Sequence, residues 1–116
     1  MESRRYADRS LARRALLDAA AQELVTVCSR LPDVLAVYVY GSYARDAVGP
    51  ASDLDALIVR ETELPRFQRE DDIRRFLRTA VGFELLIVRP DEFAEKLPAN
   101  SVGRTILAEA KLLYAV

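Results

Sequence analysis

The sequence predicts a single α+β domain, α/β-like in its alternation, with a small sheet and helices packed mainly on one face. Two observations predict it. Stretches with apolar residues at three- and four-residue spacing alternate with short β-rich runs. A chain of 116 residues can bury one core, with no internal repeat to suggest an array.

The elements follow in order. Ser10 to Leu31 reads as one long helix, with Leu17, Ala20, Leu24, Val27 and Leu31 forming an apolar stripe and Ser10 as N-cap. Met1 to Arg9 is charged and reads as a flexible lead-in to the domain, which spans 1–116. Pro32-Asp33 breaks the helical pattern. Val34 to Tyr40 is a first strand, ended by Gly41; Ser42 to Ala47 reads as a short helix and Gly49-Pro50 as a turn. Leu54 to Val59 is a second strand, with Asp53 at its mouth and Asp55 inside it. After a linker, Glu61 to Pro65, the spacing of Phe67, Ile73, Phe76, Leu77 and Ala80 predicts an amphipathic helix over 66–80, stopped by Gly82. Phe83 to Val88 is a third strand, interrupted only by Glu84. Short helices are expected from Pro90-Asp91 to about Leu97 and from Ser101 to Ala110, then a closing strand over 112–115.

Composition excludes several chemistries. There is no histidine, so Ser-His and Cys-His mechanisms and histidine metal sites are ruled out, and any proton acceptor or metal ligand is a carboxylate. Cys28 is the only cysteine and lies in an apolar run, as a small buried hydrophobe; it allows no internal disulfide and no zinc cluster. The net charge of −1 argues against broad nucleic-acid binding, which needs basic surface, but leaves room for a small phosphate ligand. The N-terminus carries no apolar signal core and no apolar run approaches the ~18 residues of a membrane span, so a reduced cytoplasm is the expected location.

Two strands carry charges where a buried strand is apolar. Asp53 and Asp55 stand two apart, so in a strand both face the same way. Carboxylates so placed repel unless a cation lies between them, and Mg²⁺ takes hard oxygen ligands while keeping phosphate oxygens in its shell. Glu84 repeats the anomaly; if the third strand lies beside the second, it joins the pair, and three acids can hold two metal ions roughly 4 Å apart. Gly41-Ser42 supplies a phosphate end: glycine allows close approach to the backbone, a helix start offers free N–H groups, and the Ser42 hydroxyl adds a donor. Arg45, one turn on, can meet a phosphate from the side. Each feature alone has an ordinary explanation as a turn, a solvated strand edge or a surface ion pair. Gly-Ser followed after ten residues by Asp-x-Asp, however, arises by composition on the order of once in a thousand chains of this length.

With its flanks, Val-Tyr-Val-Tyr-Gly-Ser-Tyr-Ala-Arg and Ser-Asp-Leu-Asp-Ala-Leu-Ile-Val, this spacing resembles the signature of the DNA polymerase β-like nucleotidyltransferase superfamily. Within it the chain is similar to the minimal nucleotidyltransferases of bacteria and archaea, over nearly its whole length. The resemblance implies the nucleotidyltransferase fold, a small mixed sheet with helices on it. It implies that Asp53 and Asp55 ligate Mg²⁺ and that Glu84 is the third acid, positioning or deprotonating the attacking hydroxyl. Gly41 and Ser42 then hold the triphosphate of ATP or another nucleoside triphosphate. Many minimal nucleotidyltransferases are antitoxins encoded beside a small HEPN ribonuclease toxin, and some move AMP from ATP to a toxin tyrosine; a HEPN-type toxin is the implied partner.

Two departures stand out. Aspartate follows Arg45 where relatives commonly have glycine, and Asp46 is expected to take over that glycine's helix-ending turn. The third acid is glutamate where aspartate is frequent. The chain carries no acceptor-binding domain like that of larger relatives, so the acceptor is expected to come with a partner protein. Two alternatives stay open: a binding antitoxin that masks its toxin without chemistry, and a transferase acting on a small molecule. The long apolar-striped helix also suits homo- or hetero-oligomer formation.

Overall fold

The computed structural model describes the backbone of residues 2–116 and the side chains from residue 4 onward. Its elements are helices α1 (Glu2–Ser29), α2 (Gly41–Ala44), α3 (Asp71–Arg74) and α4 (Ser101–Glu109), and strands β1 (Val34–Tyr40), β2 (Leu54–Arg60), β3 (Phe83–Val88) and β4 (Lys111–Ala115). The sheet order is β3-β2-β1-β4. Strand β1 runs antiparallel to both β2 and β4, while β2 and β3 are parallel. This is the expected α+β class with a mixed sheet.

The predicted stripe explains how α1 packs. Leu17, Ala20 and Leu24 are fully buried and Val27 nearly so, against Val37, Leu54 and Ile58 of the sheet. Cys28 is buried with them, and desolvation pushes its thiol up to about 12, so it is inert packing. On the opposite face a smaller cluster joins Leu57, Val59 and Val88 to Leu97, Ile106 and Leu107. Asn100 caps α4 by accepting the Gly103 N–H at 2.8 Å. A Cβ on Gly103 would stand 1.9 Å from the Leu97 carbonyl oxygen, so only glycine lets α4 seat this closely on the preceding turn.

Three expectations are corrected. Ser10 is not an N-cap: α1 starts at Glu2, through the segment expected to be a loose lead-in, and the Ser10 hydroxyl is buried in the helix without a partner. The short helix after β1 is one turn, 41–44, and does not reach Ala47.

The helix expected over 66–80 reduces to a tight turn at Arg66–Gln68 and the single turn α3. Its backbone groups are claimed by long-range side chains instead. The Arg69 carbonyl accepts Arg60 Nη1 at 3.0 Å, and the Arg78 and Thr79 N–H groups donate to Glu23 of α1 at 2.9 and 3.0 Å. Of the proposed stripe only Ile73 is fully buried, while Phe67 and Phe76 are exposed. Tertiary ion pairs have overridden the periodic pattern.

Candidate active site

The acids meet at one end of the sheet. Register pairs Asp55 with Glu84 across the parallel β2–β3 ladder and with Tyr40 on the other side. Asp53 lies two residues before Asp55 and is 59% exposed at its side chain. Glu84 is exposed as well, so it is not the buried charge that its apolar flanks suggested; it sits at the open mouth of an edge strand. The three acids thus line an open strand end. The larger concavities lie elsewhere, a cleft of about 520 Å³ beside Arg89 and a groove of about 670 Å³ between α1 and Leu113.

Like charges make this end electrostatically short of cations. Burial, then a hydrogen bond to Glu84, then the charges of Glu84 and Asp53 push the Asp55 carboxyl up to about 6, with Arg45 pulling the other way. The Tyr40 hydroxyl is driven up to about 12 by burial and by the nearby Glu84, Asp55 and Glu109. A divalent ion would relieve this repulsion. Among the described residues no three side chains are grouped to hold a metal ion. Mg²⁺ needs only one or two carboxylates, with water and substrate phosphate completing its shell.

Gly41 shapes the other half of the site. Its φ of +72° is left-handed, and a Cβ there would stand 2.1 Å from Asp55 Oδ2. The first turn after β1 therefore lies directly against the second aspartate. Gly82 serves Asp53 in the same way, since a Cβ on it would come within 2.7 Å of Asp53 Oδ1. Ser42 is half-buried in the turn beside Gly41. Arg45 does not point freely at solvent: its Nη1 donates to Glu109 Oε2 at 2.9 Å. Asp46 takes φ 59°, the left-handed turn expected of it, and pairs with Arg14.

Sequence reasoning missed the cations and the acid that frame this site. Arg13 of α1 donates to the Ser52 carbonyl at 2.7 Å and reaches Asp53 at 3.5 Å. Arg14 lies over the Tyr43 ring, 5.3 Å from its centroid, and Tyr43 donates to Asp18. Glu109 accepts both Arg45 and the Gly41 N–H. A signal existed for Arg13 and Glu109. Arg13 stands four residues before Leu17 on the buried stripe, and Glu109 three after Ile106 on the inner face of α4, so each is a charge on a core-facing line.

Comparison with known proteins decides the family. The nucleotidyltransferase domain family matches residues 22–113, which contain Asp53, Asp55, Glu84 and Glu109. The chain belongs to that family. Among solved structures, a nucleotidyltransferase assignment from Sulfolobus solfataricus aligns over 94% of this chain and 86% of its own, with TM-score 0.61 and 22% identity. A toxin–antitoxin structure with AMP-PNP aligns over 83% and 73%, with TM-score 0.56 and 17% identity. At these identities the likeness is one of fold. No curated protein matches the chain. No helix among the described residues of this nucleotidyltransferase domain is long and apolar enough to cross a membrane.

Proposed function

We propose that this nucleotidyltransferase domain moves a nucleoside monophosphate, AMP from ATP first among them, onto a hydroxyl of a partner protein. The acceptor we favour is a tyrosine of a HEPN-type ribonuclease toxin, which makes the chain an antitoxin that works by modification. The observation that carries the reading is the juxtaposition of Asp55 with Glu84 in register and with Gly41, on which any Cβ would clash with Asp55 Oδ2. The AMP-PNP-bound toxin–antitoxin neighbour supports the choice of nucleotide and partner class.

Each residue then has a role. Asp53 and Asp55 would hold Mg²⁺, with Glu84 beside them for a second ion. When bound, the ion would supply positive charge to neutralise the phosphate oxygens. Gly41 and Ser42 receive the triphosphate, the glycine because nothing larger fits against Asp55. Glu84, exposed at the strand mouth, accepts the proton of the attacking hydroxyl. The acceptor oxygen bonds to the α-phosphorus, the bond to the bridging oxygen of the β-phosphate breaks, and pyrophosphate leaves.

The test is incubation of the chain with Mg²⁺, ATP labelled at the α-phosphate, and the protein encoded beside it. Label is expected on the partner, and Asp53→Asn is expected to abolish it. Equal labelling by that variant would overturn the reading. Neutralisation of the partner by an Asp53→Ala/Asp55→Ala protein that transfers nothing would favour masking without chemistry, and labelling of a small molecule alone would move the acceptor off proteins.

A further inference from the structure

Glu109 is the last residue of α4, where a carboxylate meets the negative end of the helix dipole. Left alone it would be unfavourable there. It is nonetheless mostly enclosed, with its side chain 21% exposed, and both its oxygens are used. Oε1 accepts the Gly41 N–H at 3.1 Å and Oε2 accepts Arg45 Nη1 at 2.9 Å. One carboxylate thus grips both ends of the turn 41–45, whose own ends are joined by the Arg45 N–H to the Gly41 carbonyl at 3.0 Å.

What this grip prevents follows from the neighbours. Gly41 lies against Asp55, so Arg45, one turn away, is the cation of this turn closest in sequence to the acid pair. Asp55 already feels the Arg45 charge. An arginine released there would find two under-compensated carboxylates, and a guanidinium forks onto a carboxylate in the same positions that a metal ion uses.

We infer that Glu109 is a positioning residue, which holds Arg45 off Asp55 and so keeps the aspartate oxygens open to a divalent cation. The inference rests on the metal role proposed for Asp53 and Asp55. It links the C-terminal helix to the site: α4 is placed by the Asn100 cap and by the tight seat of Gly103 on Leu97, and its far end delivers Glu109.

The experiment uses Mn²⁺ alone as probe on the nucleotide-free full chain, with crystal structures of the same proteins. Glu109→Ala is expected to weaken Mn²⁺ binding about tenfold while the protein stays folded by circular dichroism, and its structure is expected to show Arg45 against Asp55. Removing the released cation as well, in Glu109→Ala/Arg45→Gln, is expected to restore Mn²⁺ binding. In the transfer assay the single variant is expected to raise the Mg²⁺ concentration needed for half-maximal rate and leave the rate at saturating Mg²⁺ within a few-fold. Arg45 remaining away from Asp55 in the single variant would overturn the inference, as would, for a wild type that binds Mn²⁺, an unchanged affinity in the single variant or a double variant no better than the single one. The two readings fail separately. Arg45 moving onto Asp55 while the wild type ignores Mn²⁺ would defeat the metal role and leave the positioning standing.

Discussion

Two groups of charges flank strand β2, and the fold treats them oppositely. Near its C-terminal end, Arg60 and Arg69 are 5% and 3% exposed, yet each is fully engaged. Arg60 donates to Asp33 at 2.9 Å, to both oxygens of Asp72 at 2.7 and 2.6 Å, and to the Arg69 carbonyl. Arg69 donates to the Leu64 and Ile87 carbonyls and to Glu92 at 2.6 Å. At the other end Asp53, Asp55 and Glu84 face one another, with only Arg13 within reach of Asp53 among the described ion pairs. Buried charges persist when partners satisfy them. The first group is therefore architecture, complete in itself. The second lacks such partners among the described ion pairs beyond Arg13, and the divalent cation proposed above would supply the missing charge.

The comparison can be broken most forcefully at the acids. Asp55→Asn is expected to lower nucleotidyl transfer by about a hundredfold to a thousandfold, the usual cost of losing one preorganised electrostatic contact to the transition state. The same change is expected to raise the thermal midpoint of the metal-free protein at neutral pH, because it removes a repelled carboxylate. A lowered midpoint in a urea- or heat-unfolding series would mean that Asp55 is structural.

Arg60→Ala is the matching change in the other group. It removes a buried guanidinium and leaves the part-exposed Asp72 and Asp33 and the Arg69 carbonyl without their donor, and is expected to destabilise the fold by about 2–3 kcal/mol in urea unfolding, with little change in metal affinity. A loss below about 1 kcal/mol would show that this network does not organise the segment over 66–80.

pH separates the two groups by sign. Asp55 is raised to about 6, so its protonated form is favoured by folding. The stability it contributes is present in full below the ordinary aspartate value and is lost as pH rises through about 6. Asp72 is lowered by its hydrogen bonds to Arg60, against a smaller cost of burial. Glu92 is lowered although burial opposes it, because hydrogen bonds from the Arg89 backbone and Arg69 outweigh that cost. Their contribution is present above the ordinary carboxylate range and is lost as pH falls through their lowered values. Metal-free protein is therefore expected to lose stability between about pH 4 and about pH 6 through the acid end, and Asp55→Asn is expected to flatten that slope while leaving the loss at lower pH intact. Thermal unfolding across pH checks both limbs; an unchanged slope between about pH 4 and about pH 6 in the variant would contradict the assignment.

The smallest effect belongs to Asp46, which holds φ 59° and an ion pair with Arg14. Asp46→Gly relieves a left-handed backbone cost of roughly 1 kcal/mol and loses an exposed ion pair worth ~0–1 kcal/mol. The two nearly cancel, and a change within about 1 kcal/mol is expected by chemical denaturation.

How much of this was legible beforehand follows the same division. The three long strands, the α1 stripe and the acid trio are local patterns: period two, period three to four, and charges that interrupt apolar runs. They were readable, and the β2–β3 register brings Asp55 beside Glu84, with Asp53 just before the strand. The segment 66–80 was misread because Arg60 and Glu23 take its backbone partners from nine and 55 residues away in sequence, which no window of periodicity contains. Glu109 was missed for a like reason. Its partners lie 68 and 64 residues earlier, and only the seating of α4 brings them near.

On the function proposed above, the acid end of β2 takes up a divalent cation carrying a nucleotide. Calorimetric titration of the chain with a non-hydrolysable ATP analogue tests it directly, once with Mg²⁺ and once with chelator. Binding is expected only with Mg²⁺, and is expected to disappear in an Asp53→Asn/Asp55→Asn protein that remains folded. Equal binding with chelator present, or undiminished binding by the double variant, would contradict it.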